Sequence, residues 1–339
     1  MERFHIEDRE DGYELWLRYR QVDDSERLAQ YRKVIGSAVV LGTGATVEII
    51  RHELVRALPA LLGSAVPFSE KPVGNALIVG TLDDLKTVGV TIPSAEYREL
   101  GAEGFVIRSQ SSVIASHPER NEVESKEAAK QSPTPNWGLL ASTIAQHAKN
   151  ALAMTSDNWI VITGNSAPAA LTGTFHFLRL VQTHQDIRAL DLASSPRIRH
   201  RILAHWDNLD GSIERGYAGQ SLWNWDELPK KIVSRYHDYA RACASIGING
   251  TVLNNVNANA KSLTTEYLEK TAALADVFRP YGIRVYLSPV LSAPIRLGGL
   301  ATSDPRDPAV AAWWKRKVDE IYRLIPDFGA VYLSRETVL

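Results

Sequence analysis

Apolar residues fall along this chain in two alternating textures. Short runs rich in β-branched side chains, SAVVLG (37–42), ALIVG (76–80), GFVIRS (104–109) and NWIVITG (158–164), read as strands, and YELWLRY (13–19) reads as a further one. Among them, TVEIIRHELVRALPALL (46–62) and APAALTGTFHFLRLVQ (167–182) carry apolar residues at helical spacing. Interleaved strands and helices predict helices packed on one sheet.

One segment breaks this texture. SHPERNEVESKEAAKQSPTPN (116–136) is charged, proline-containing and nearly free of apolar residues, and WGLLASTIAQHAKNALAM (137–154) follows as an Ala-rich amphipathic stretch. Neighbouring strands need only a short connection, so 113–156 reads as an insertion, with a functional lid as the alternative.

SSPRIRHR (194–201) marks a boundary between an N-terminal domain at 1–197 and a second domain at 198–339. Beyond it the rhythm becomes regular. RILAHW (201–206), INGTVLNN (248–255), IRVYLSP (283–289) and GAVYLS (329–334) read as strands. The first intervening helix has Pro229 near its start, Ile232, Tyr236, Tyr239 and Cys243 on one face, and its end at Gly247. The second starts near Thr264 and carries Leu268, Ala272, Ala275 and Phe278. The third is capped by Asp307, has Pro308 in its first turn, and buries Val310, Trp314, Val318, Ile321 and Ile325.

Apolar strands alternating with helices predict a parallel sheet under a helical cover. The polar and aromatic residues gather in loops after the strands, where a (β/α)8 barrel builds its site. Four strands are half of such a barrel. The expected fold class is thus α/β: an N-terminal α/β sandwich-like domain, then a partial (β/α)8 TIM barrel of about four strands. An open half-barrel leaves an unpaired edge, which predicts a marginal or aggregation-prone chain.

Composition narrows the function classes. Hydrophobic residues at 45% and charged residues at 23% give an ordinary globular balance. A formal net charge of −1 offers no footprint for nucleic acid or an anionic membrane. No run approaches the roughly 20 apolar residues of a membrane span. MERFHIEDREDGYELWLRY at the N-terminus lacks the apolar core of a signal peptide, so a cytoplasmic location is expected. The single cysteine, Cys243, excludes an internal disulfide and reads as a buried structural thiol. The 9 histidines show no HxH or HExxH spacing, so no metal and no cofactor is expected.

The densest chemistry lies in HWDNLDGSIERGYAG (205–219), at the end of an apolar run. Trp206 there is either core or a platform for the C–H face of a sugar. Asp207, Asp210 and Glu214 either bind sugar hydroxyls or hold the loop, with Arg215 as their ion-pair partner. A glycosidase pair would need two carboxyls on opposite sides of the scissile bond, about 5–5.5 or 6.5–9.5 Å apart. In the next loop Val256 is flanked by Asn254, Asn255, Asn257 and Asn259, whose amides suit hydroxyl-rich ligands and equally suit turns. VVLGTGATVEII (39–50) presents Gly42 and Gly44 between a strand and a helix. The third glycine of a dinucleotide fingerprint is missing, since Val47 stands there, and a tight turn is the simpler reading.

HWDNLDGSIERGYAG together with ASIGINGTVLNNVNAN (244–259), ADVFRPYGIRVYLS (275–288) and WWKRKVDEIYRLIPDFG (313–329) resembles the α-glucuronidases of glycoside hydrolase family 67. DGYELWLRY (11–19) and GTFHFLRLVQT (173–183) resemble the opening domain of that family. The resemblance implies an α/β N-terminal domain, a (β/α)8 barrel and a helical C-terminal domain that supports a homodimer. It also implies removal of α-1,2-linked 4-O-methylglucuronic acid from xylo-oligosaccharides in xylan degradation, by single displacement with inversion and without a metal. By position, Trp206 and Val256 resemble the apolar wall that receives the 4-O-methyl group, and Asn255 and Arg215 are further substrate contacts. The pattern then departs. Ser334 occupies the position of the family's lysine and Val338 that of its general acid, Glu336 comes two residues early, and the water-activating carboxylates belong further on. The expectation is an α-glucuronidase by descent that is inactive as this chain, with a non-catalytic carbohydrate-binding remnant as the alternative.

Overall fold

The computed structural model describes residues 11–90, 92, 100–111, 158–216, 219–257 and 259–332. The expected insertion at 113–156 lies outside the described residues. The chain divides into two compact units, one of Arg20–Thr43 and Ile50–Ser195, the other of Met1–Tyr19, Gly44–Ile49 and Pro196–Leu339.

The first unit is built on a five-stranded sheet of β1 (Ser37–Val40), β2 (Ala76–Thr81), β3 (Phe105–Ser111), β4 (Asn158–Gly164) and β5 (Asp191–Ser194) in the order β1-β2-β4-β3-β5. β1, β2 and β4 run parallel, while β3 is antiparallel to both β4 and β5. Helices α1 (Ser25–Val34), α2 (Ala45–Leu62), α3 (Leu82–Thr87) and α4 (Ala167–Gln182) accompany it. The central strands are apolar throughout because both faces are covered. Val39, Ile78 and Val161 share one buried cluster with Leu85 of α3. The opposite face meets α4, where a Cβ placed on Gly173 would fall 2.8 Å from the Ile162 side chain. β5, α1 and α3 carry weak periodicity and were not legible as elements. β5 is four residues long and largely exposed, and α3 exists through its cap, with Thr81 and Asp84 exchanging hydrogen bonds.

YELWLRY is not a strand. Residues Leu15–Arg18 form a 3-10 turn, with positive φ at Leu15 and Tyr19. Its aromatic residues pack on α5 (Ser234–Ser245) of the second unit's own body: Trp16 Nε1 donates to Ser245 Oγ at 3.1 Å, the Tyr13 hydroxyl donates to Asp238 at 2.8 Å, and the Arg241 guanidinium lies 5.6 Å from the Tyr19 ring centre. Alternating aromatics here reflect one-sided packing on a helix, which produces the same sequence signature as a half-buried strand.

The second unit carries the parallel strands β6 (Ile202–Ala204), β7 (Gly250–Val252) and β8 (Arg284–Tyr286) in that order. Helices α5, α6 (Thr265–Phe278), α7 (Ala293–Arg296) and α8 (Pro308–Leu324) follow their strands. The expected fourth strand is reduced to a parallel bridge between Leu287 and Val331. Three strands and a bridge do not close, so no barrel is seen among the described residues. α5 begins at Ser234 and not near Pro229, because residues 224–231 are spent in turns such as Glu227 N–H to the Asn224 carbonyl. Ile232 is consequently outside the helix and exposed. Along α8, Trp313 takes the buried place expected of Trp314, and Val318 is 40% exposed. The stripe passes through Lys317 instead, whose ammonium lies over the Trp313 ring and pairs with Glu320 at 2.6 Å. Asp307 caps α8 as expected, accepting from the Ala309 N–H at 2.8 Å. No helix among the described residues is long and apolar enough to cross a membrane.

Candidate functional site

β6 delivers His205, Trp206 and Asp207 to its carboxyl end, and the chain folds back at once. Gly211, at φ +85°, makes the reversal that a side chain would resist. Asn208 N–H then meets the Ser212 carbonyl at 2.8 Å, and Glu214 N–H meets that of Trp206 at 3.0 Å. Asp210 stabilises the tip by accepting from the N–H and the hydroxyl of Ser212, at 3.0 and 2.6 Å, and these bonds hold its carboxyl below the ordinary range.

Asp207 anchors the base of this fold-back. It is 5% exposed and accepts from the Ser221 hydroxyl at 2.8 Å and the Leu222 N–H at 2.9 Å, while His205 Nδ1 stands 3.6 Å from its other oxygen. Burial pushes its pKa up, but the bonds from His205 and Ser221 outweigh that and leave it lowered. His205 Nε2 and the Tyr239 hydroxyl are 2.7 Å apart, beside the buried Trp223 ring. Burial raises the Tyr239 phenol, and it raises the Cys243 thiol below it, which is the structural thiol expected.

The asparagines stitch successive loops together. Asn254 Nδ2 donates to the Ser288 carbonyl at 2.8 Å and its Oδ1 accepts from the Ser288 N–H at 2.9 Å, tying the end of β7 to that of β8. Asn255 donates to Asn208 Oδ1 at 3.0 Å and accepts from the Asn257 N–H at 2.9 Å, while its own N–H bonds the Asp207 carbonyl. Asn257 donates to Glu214 Oε1 at 2.6 Å. Glu214 is buried and Asn254 is 2% exposed, so these groups serve as loop scaffold as well as wall.

A cleft of about 610 Å³ opens above the carboxyl ends of the strands, within the ~300–1,000 Å³ of small-molecule sites. The loop after β6 contributes Asp207, Asn208, Leu209 and Asp210, and the loop after β7 contributes Asn254, Asn255, Asn257 and Asn259, together with Lys261. Asp226, Tyr267 and Arg296 complete it. Asn255 therefore reaches the cleft. Trp206 is 45% exposed and Val256 is 8% exposed; neither is among the lining residues, although each adjoins one that is. The side chain of Arg215 lies outside the described residues, as do Ser334, Glu336 and Val338. Lys261 and Arg296 escaped sequence reading because nothing in NNVNANAKS or SPVLSAPIRLGGLATSDP marks one loop cation above another, and Tyr267 because it sits in the first turn of α6. Gly42 and Gly44, at φ +87° and +110°, make a tight turn, and the Asp84 carboxylate occupies the space a Gly42 side chain would need.

Comparisons with known proteins bear on both units. The "Glycosyl hydrolase family 67 N-terminus" profile matches residues 15–121 and the "Glycosyl hydrolase family 67 middle domain" profile matches residues 180–336. "Alpha-glucuronidase A" of Emericella nidulans is 32% identical over 330 residues, covering 94% of this chain and 33% of the relative. "Probable alpha-glucuronidase A" of Aspergillus terreus is 44% identical over 175 residues, covering 52% of this chain and 21% of the relative. The chain thus spans about a third of the length of a curated relative that it matches almost throughout. Among solved structures, a GH138 enzyme targeting pectin rhamnogalacturonan II superposes with a TM-score of 0.50 at 13% identity, covering 87% of this chain and 30% of that one, which is a likeness of fold alone.

Proposed function

The chain belongs to glycosyl hydrolase family 67, and on that premise we propose that it is the sugar-recognising part of an α-glucuronidase. The reaction in view is removal of α-1,2-linked (4-O-methyl)glucuronic acid from xylo-oligosaccharides, with inversion and without a metal. In this reading β6, β7 and β8 are the first strands of a (β/α)8 barrel, whose sites lie at the carboxyl ends of the strands. The observation that carries the reading is the cleft at that end, inside the stretch matched to the family's middle domain. Trp206 and Val256, each adjoining a residue that lines the cleft, are assigned to the apolar side of the sugar, and Asn255 and Arg215 to its polar contacts.

We further propose that the 339-residue chain by itself binds without cleaving. A general acid needs a carboxyl whose pKa is raised so that it carries a proton near neutrality. Asp207 and Asp210 are shifted the opposite way, and Glu214 is engaged by Asn257. The position that the family resemblance gives to the acid is Val338, which has no proton to give. Incubation with an aldouronic acid should release no glucuronic acid, whereas calorimetric titration with 4-O-methylglucuronic acid should show saturable binding that Trp206→Ala abolishes. Turnover by this chain overturns the second proposal, and absence of any sugar binding overturns the first.

A further inference from the structure

A second cavity lies in the first unit, where the edge of its sheet comes apart. β1 is an edge strand, and residues 67–69 run beside it as a short parallel strip. Ala38 N–H reaches the Pro67 carbonyl at 2.9 Å, and Ser69 N–H reaches the Ala38 carbonyl at 3.1 Å. Backbone groups two residues apart on a strand face the same side, so Val40 presents the next pair towards the strip. The strip turns off at Ser69 instead, whose hydroxyl donates to the Lys71 carbonyl at 2.8 Å. Arg51 of α2 reaches into the space and donates from Nη2 to the Val40 carbonyl at 3.2 Å. The result is a cavity of about 360 Å³ at the carboxyl end of β1, the end at which open parallel sheets take their ligands.

The walls are chemically mixed. Arg51 brings guanidinium donors, oriented by its bond to Val40, and the exposed Glu70 brings a carboxylate acceptor. Ser69 adds a hydroxyl and the half-buried Phe68 a ring. One cation and one anion leave the lining without net charge. A phosphate or carboxylate would meet Glu70, and a wholly apolar ligand would strip water from both charges. Vicinal hydroxyls suit both groups, because each hydroxyl donates and accepts, and the C–H face of a pyranose suits the ring.

On the reading of this chain as part of an enzyme for xylo-oligosaccharides, we propose that the cavity is a second saccharide subsite. It takes a neutral pyranose unit of the polymer and not the glucuronic acid. Phe68 is its platform, and Arg51 and Glu70 read hydroxyls. The subsite falls within residues 15–121, matched to the family's N-terminal profile, and outside the middle-domain stretch that carries the cleft. It gives the polymer a hold that does not depend on its acidic branch.

The test follows the backbone amides of Val40 and Ser69 in the deuterated full chain during addition of xylotriose and, in parallel, of sodium glucuronate. Xylotriose should shift both amides saturably, and glucuronate should leave them in place. Glu70→Ala should weaken xylotriose at these amides roughly tenfold or more, the level at which a hydrogen bond to a charged group contributes. Phe68→Leu, which keeps an apolar side chain and removes the ring, should weaken it as well. Calorimetric binding of 4-O-methylglucuronic acid should be unchanged in both variants. Glu70 is exposed, and an unchanged unfolding midpoint verifies that its variant is folded. The subsite is refuted, while the sugar reading stands, if 4-O-methylglucuronic acid shifts cleft amides such as those of Asn208 and Asn255 but xylotriose leaves Val40 and Ser69 in place. Glucuronate shifts at Val40 and Ser69, or wild-type affinity for xylotriose in Glu70→Ala, refute it equally. If neither xylotriose nor 4-O-methylglucuronic acid shifts any amide, the sugar reading fails and the subsite fails with it.

Discussion

Asp207 concentrates the residue-scale physics of the site. Its carboxylate joins the loop after β6 to Ser221 and Leu222, so truncation strands a buried N–H and hydroxyl. Asp207→Ala should cost about 1–3 kcal/mol in urea-induced unfolding. The pH dependence has a definite sign. The folded pKa is lowered, so the stabilisation is fully present above the unfolded value of about 3.9 and is lost as pH falls through the depressed folded value. The gap between wild type and variant should therefore be constant near neutrality and shrink below about pH 4. A gap that widens in acid would contradict this account. Much of this residue's importance was legible: an Asp between Trp206 and Asn208 at a strand end invited a ligand or a loop-holding role, and the loop-holding role is the one its bonds display. The choice required partners from Ser221 and Asn255, which no local pattern announces.

At the scale of elements, two close approaches decide what can be changed. Gly173 lets α4 lie against β3 and β4, with Phe105 3.2 Å and Ile162 2.8 Å from where a Cβ would be. Gly173→Ala should destabilise by about 1–3 kcal/mol through overpacking, despite the better helix propensity of alanine. Asp307→Ala removes the cap of α8 and should cost about 1 kcal/mol. Both are read from denaturant midpoints at constant slope. The first of these two effects was invisible in sequence, because a glycine inside APAALTGTFHFLRLVQ reads only as a weak helix former. The second was plain, since Asp-Pro before an apolar stripe has one common meaning. YELWLRY shows the reverse error, where alternation imposed by α5 imitated a strand.

For the molecule as a whole, the parallel sheet of the second unit is the exposed feature. β6 has a single hydrogen-bonded neighbour among the described residues, and Leu203 on it is 38% exposed. An uncovered edge strand with apolar side chains invites pairing between copies. Leu203→Lys should reduce concentration-dependent light scattering of the purified chain without lowering its unfolding midpoint; unchanged scattering would acquit this edge.

Period and punctuation alone determined the larger elements: β4 and α4 match NWIVITG and APAALTGTFHFLRLVQ residue for residue, because buried strands and capped helices write their burial into local order. Family membership was likewise written in long motifs that run through strands, loops and helices. Tertiary structure decided the rest. Which side chain of each loop faces the cleft, that Asn254 and Asn255 bind backbone and loop, and that Arg296 and Lys261 line the same space all depend on contacts between residues far apart in the chain. Such contacts leave no period behind them, since one hydrogen bond across a fold constrains two residues and not the spacing of their neighbours.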